Sequence, residues 1–119
     1  MVREFYELLD VYTALPEVDK IEVALSFQIL WKSLIAEFET PENFGSAKKE
    51  RQMDFLSKIT DLHAKSTLDG MPQMEVAAGL FGKSLAPVIA GDLDLAKELA
   101  DEIEPINKLG WEWAAKTEE

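Results

Sequence analysis

The chain has 119 residues, with 23 acids against 12 Lys and Arg, a net charge of -11, one histidine and no cysteine. The missing thiols exclude disulfide stapling, thiolate metal sites and thiol catalysis. A field of that sign opposes a phosphate backbone, so direct nucleic-acid binding is not expected. With 47% hydrophobic residues, including six Phe and three Trp, the chain is too apolar for an acidic tail and reads as one folded domain over residues 1–119.

No apolar stretch approaches the roughly 18–20 residues that cross a bilayer. Glu4, Glu7 and Asp10 fall where a signal peptide would need an unbroken apolar run. A cytoplasmic protein without a membrane partner is the expectation. The charge is uneven: residues 1–45 hold nine acids and three bases, residues 46–68 three acids and five bases, and residues 69–119 eleven acids and four bases.

Residues 2–14 place Phe5, Leu8, Leu9 and Tyr12 three and four apart, the stripe of an amphipathic helix. Leu15-Pro16 ends it and opens a second helix over about 17–38. Its apolar residues, among them Phe27, Trp31 and Ile35, wrap more than half the circumference. That helix is expected to be central in the bundle, to meet a partner subunit on a second face, or both.

Residues 39–46, ETPENFGS, read as a linker that ends in Ser46 as an N-cap. The helix over about 47–66 turns Phe55, Leu56, Ile59 and Leu62 inward. Asp54/Lys58 and Asp61/Lys65 stand at acid-first i,i+4 spacing and are expected to pair. Lys48, Lys49 and Arg51 crowd the helix start, where the dipole disfavours cations, and suggest an anion or an acidic neighbour.

Asp69-Gly70 marks a turn and Pro72 a helix start. Met74, Ala77, Ala78, Phe81, Leu85, Val88 and Ile89 line the next helix, which Pro87 should kink or end. Gly91 and Asp92 stop it and cap another, carried by Leu95, Leu99 and Ile103 and bent at Pro105. Ile106, Leu109, Gly110 and Trp113 continue the stripe, and Trp111 falls partly off it.

The stretch from Ala77 to Ala100, with small or turn residues at Ala77, Gly91, Asp92, Ala96 and Ala100, resembles part of a tetratricopeptide-type helical repeat. The likeness does not recur over residues 17–70. It implies a helical hairpin, and in that family grooves between hairpins hold peptides.

Little in the sequence carries chemistry. His63, four after Ile59 and seven after Leu56, reads as a core-edge histidine, and no Glu-x-x-His motif accompanies it. Asp92, Asp94, Glu98, Asp101, Glu102 and Glu104 read as a solvated acidic face, with an oxygen-ligand magnesium or calcium site as the alternative. No catalytic, cofactor or metal residue is assigned, and a non-enzymatic role is favoured over an enzymatic one.

The expected fold is all-α, a compact up-and-down bundle or helical-hairpin array of four to five helices. The expected role is protein–protein interaction or self-association as a scaffold or adaptor. A homo-oligomer, another protein partner, or both are expected to use Phe27, Trp31, Ile35, Trp111 and Trp113. Trp111 is the best exposed anchor, since two tryptophans two apart cannot both face inward from one helix. The alternatives are an acidic decoy that occupies a basic protein's nucleic-acid groove, and a small carboxylate-rich metalloprotein or metal enzyme.

Overall fold

Apolar residues at three- and four-residue spacing, punctuated by proline and glycine, divide the chain into helices. The computed structural model describes residues 2–117. It contains α1 (Val2–Ala14), α2 (Glu17–Phe38), α3 (Pro41–Ser46), α4 (Lys49–Leu68), α5 (Pro72–Ala90) and α6 (Leu93–Thr117), with no strand among the described residues. The chain is all-helical and compact. No helix is long and apolar enough to cross a membrane among the described residues.

The sequence predicts four to five helices, and the sixth is α3, inside the stretch that reads as a linker. Thr40 accepts a hydrogen bond from the Asn43 N–H at 3.0 Å, and Pro41 fills the first helical position, where a missing N–H costs nothing. Ser46 is not the cap of α4. Its hydroxyl donates to the Asn43 carbonyl at 3.4 Å and closes α3, while α4 starts after Lys48 without a side-chain cap. The joint between α5 and α6 follows the expectation. Gly91 sits at φ 77°, a conformation that favours glycine, and Asp92 accepts from the Leu95 N–H at 3.2 Å.

One core gathers the buried face of every helix, from Phe5 of α1 to Ile106 of α6. The enclosed element is α5, which packs against α1, α2, α4 and α6. Its small residues make this possible: a Cβ at Gly79 would come within 2.7 Å of Leu8 in α1 and 3.0 Å of His63 in α4. Residues Val76 through Phe81 of α5 are all buried. The more apolar-looking α2 also meets four helices, α5, α6, α3 and α1, and keeps one face exposed.

Individual contacts fix the helix directions. Glu4 meets Lys83 while Leu8 meets Gly79, so α1 runs opposite to α5. Asp19 meets Gln73 and Phe27 meets Phe81, so α2 runs along α5 in the same direction. Trp31 meets Asn107 and Ala24 meets Gly110, so α6 runs opposite to α2. The likeness to a repeat unit stops at the α5–α6 hairpin, because α5 is enclosed by four helices and not stacked between equivalent hairpins.

Neither interior proline ends its helix. Pro87 lies one turn from the end of α5, and Pro105 sits mid-way along α6. Proline at 105 takes away the donor to the Asp101 carbonyl; both residues are exposed, so water can hydrate that group. The expected surface pairs are replaced by others. Lys58 reaches Glu37 of α2 at 3.3 Å, and Lys65 reaches Asp69, four residues after it, at 2.6 Å.

Candidate interaction surface

The five sequence-derived anchors separate into two groups. Phe27 is 0% exposed and packs edge-on against Phe81 at 5.6 Å, which leaves it no surface to offer a partner. This corrects its place among the anchors: the residue belongs to the core face of α2. Trp31 is also largely internal. Its Nε1–H donates to Asn107 Oδ1 at 2.8 Å and its ring stands edge-on to Phe81 at 5.0 Å. Trp113 is half-buried, with the Lys116 ammonium 4.4 Å from its ring centre. Ile35 and Trp111 remain open, at 40% and 55% exposure.

The face of α2 opposite the core extends this open surface. Val18, Glu22, Leu25, Ile29, Lys32 and Ala36 succeed one another by four and three residues, which stacks them in one stripe. Val18 is 65% and Ile29 55% exposed, and Leu25 between them is half-buried. A helix that already buries Val23, Phe27, Leu30, Leu34 and Phe38 gains nothing within this fold from a second apolar stripe. Trp111, four residues beyond Asn107, lies on the flank of α6 that faces α2. Residue spacing alone can find this stripe; its outward direction cannot be read until the core face is known.

Of the basic cluster at the start of α4, Arg51 finds its partner within the fold. Arg51 donates through Nη2 to the Glu37 carbonyl at 3.1 Å and lies 4.5 Å from the Phe38 ring centre, which ties α4 to the end of α2. His63 stands against α5. A carbonyl can only accept, so Nδ1 of His63 carries the proton in its 2.9 Å hydrogen bond to the Glu75 oxygen.

A cavity of about 450 Å³ opens beside His63 between α1, α4, α5 and the start of α6, over the small residues Ala78, Gly79, Gly82 and Ala86. Its walls are mostly apolar. The polar side chains at its edge are committed elsewhere: Thr60 to the Leu56 carbonyl, Lys83 to Glu4 and Asp92 to the Leu95 N–H. A ligand site of this size normally has convergent polar groups to orient a guest, and this cavity offers few.

The acidic face of α6 spreads along the helix, and no group of three or more potential ligands stands close enough to hold a metal ion among the described residues. Its electrostatic effect is felt by Tyr6. Burial raises the Tyr6 hydroxyl pKa above the usual phenol value, and the carboxylates of Glu98 and Glu102 raise it further.

Gln28 is the one buried polar side chain whose amide nitrogen and oxygen both lack a hydrogen-bond partner among the described residues, at 2% exposure between α2 and α6. A buried amide left unpaired costs about 1–3 kcal/mol. Gln28→Met keeps the length and removes the penalty, so it is expected to raise stability by about 1 kcal/mol. Urea denaturation measures it, and an unchanged or lowered midpoint would mean that the amide is satisfied.

No protein-family model matches the chain, and no curated protein or solved structure matches it.

Proposed function

We propose that this protein is a helical interaction module that associates with itself through the outward face of α2, with Ile35 and Trp111 at the border of the contact. The observation that carries this reading is the second apolar stripe of α2, Val18, Leu25, Ile29 and Ala36, directly opposite the residues it buries in its own core. Large apolar side chains aligned on a surface helix mark a binding face, whereas isolated ones need no explanation. The cytoplasm is the compartment that suits such a cysteine-free scaffold.

The test is light scattering after size exclusion, at two salt concentrations, on the unaltered chain and on Ile29→Asp and Trp111→Ala. The unaltered chain is expected to be a dimer that persists at high salt, since apolar burial is not screened. Ile29→Asp places a charge at the centre of the contact and is expected to give a folded monomer. Trp111→Ala, at the border, is expected to weaken the dimer without changing the circular dichroism. A monomer at high protein concentration overturns the reading.

A further inference from the structure

The order of residues along the α2 stripe carries more than its apolarity, and its meaning rests on the self-association proposed above. Written by position, the stripe is Val18, Glu22, Leu25, Ile29, Lys32 and Ala36. Reversing the helix end for end about the level of residue 27 maps Val18 onto Ala36, Glu22 onto Lys32 and Leu25 onto Ile29. Each apolar residue then meets an apolar residue, and each charge meets its opposite. In the parallel arrangement every position meets its own copy, which sets Glu22 against Glu22 and Lys32 against Lys32 and brings like charges together.

We infer that two copies of this chain pair through α2 in antiparallel register about a two-fold axis at the level of Phe27, with Glu22 of each copy opposite Lys32 of the other. Four observations support it. Glu22 and Lys32 are both exposed and have no ion pair among the described residues, so both are available. The alternation of four and three is the spacing at which one helix seats its side chains into another over several turns. The stripe from Val18 to Ala36 spans about 27 Å at 1.5 Å per residue, long enough for a continuous seam. Ser26 and Ser33 beside the stripe are short and let the helices approach.

A two-fold contact of this kind is closed: each copy contributes the same face, and no free patch remains on α2 to recruit a third. The antiparallel arrangement also opposes the two helix dipoles, whereas a parallel one would align them. The apolar centre, Leu25 and Ile29, supplies adhesion. The two Glu22–Lys32 pairs at either side select direction and register more than they add strength.

Two experiments test the register. In the first, the dimer dissociation constant is measured at low salt for Glu22→Lys, Lys32→Glu and the variant carrying both. Each single reversal is expected to weaken the dimer about tenfold by opposing like charges twice, and the double reversal is expected to restore it, because the pairs are merely exchanged. In the second, the absence of native cysteine makes any introduced thiol unique. A mixture of Val18→Cys and Ala36→Cys chains is expected to form a disulfide between the two variants, while neither variant cross-links to itself. A Val18→Cys homodisulfide, or single reversals that leave the affinity unchanged, overturns the antiparallel pairing and leaves self-association standing. A chain monomeric in every form overturns both.

Discussion

Phe81→Ala is expected to lower the free energy of unfolding by about 3–5 kcal/mol, the range for deleting a fully buried phenyl ring. Phe81 is 0% exposed in α5 and touches three rings edge-on: Phe27 at 5.6 Å and Trp31 at 5.0 Å from α2, and Phe55 at 6.5 Å from α4. Through Phe55 the array continues to Phe38 of α2 and Phe44 of α3. Edge-to-face pairs add about 0.5–1.5 kcal/mol each beyond area burial, so truncation removes both the volume and the geometry that joins three helices. A domain of this size commonly has about 5–15 kcal/mol in total, and the variant is expected to be close to unfolding in mild denaturant. Urea denaturation followed by tryptophan fluorescence measures the loss, since Trp31 reports on the same contact. A loss below about 1 kcal/mol would mean that the neighbouring rings collapse into the space and that Phe81 is not the joint described.

The helices most legible in the sequence are those whose ends are set by backbone chemistry. Leu15-Pro16 separates α1 from α2, Gly70 and Pro72 separate α4 from α5, and Gly91 with Asp92 separates α5 from α6. Each is a local steric or hydrogen-bonding rule that needs no tertiary information. The short α3 is hidden because Pro41 and Gly45 read as breakers, although Thr40-Pro41 is itself a helix-start signal. The prolines at 87 and 105 show the reverse of a break: intrinsic preference disfavours them inside a helix, yet both helices continue past them.

Centrality and surface pairing are not legible for a different reason. Composition favours α2 as a central helix, and α2 does meet four neighbours, but the share of a helix that is buried depends on how closely backbones can approach. That favours α5, with Ala77, Ala78, Gly79 and Gly82. The local Asp54/Lys58 pair is worth only tenths of a kcal/mol, too little to hold a long side chain when Glu37 of α2 is within reach, and Lys65 pairs with Asp69 at the same i,i+4 spacing that Asp61 offers. Of the candidate anchors, Phe27 misleads because a strongly apolar helix does not reveal which of its two stripes faces inward. The exposed Ile35 and Trp111 remain at the border of the outward one.

Gly110→Ala is expected to destabilise the protein by about 1–3 kcal/mol, the opposite of what helix propensity alone dictates. In an exposed helix interior the change gains about 1 kcal/mol. At position 110 the new Cβ would stand 2.7 Å from the Ala24 carbonyl oxygen and 2.9 Å from Cγ of the buried Gln28. The first neighbour is backbone in the middle of α2 and cannot move aside as a side-chain tip can, so α6 must shift outward and overpacking outweighs the propensity gain. That shift should loosen the Trp31–Asn107 hydrogen bond and redshift the tryptophan emission of the native state. Gly82→Ala in α5 is the internal control. Its Cβ would lie 3.3 Å from a methyl group of Ile59, a contact that small side-chain movements relieve, and it is expected to change stability by under about 1 kcal/mol. The pair is read by thermal and urea denaturation of both variants against the unaltered chain. Greater stability in Gly110→Ala would mean that α2 and α6 do not approach as closely as the glycine allows. A loss in Gly110→Ala alone would place a close helix contact at that glycine, on the α2 side of α6 and away from the outward stripe through which α2 is proposed to meet its second copy.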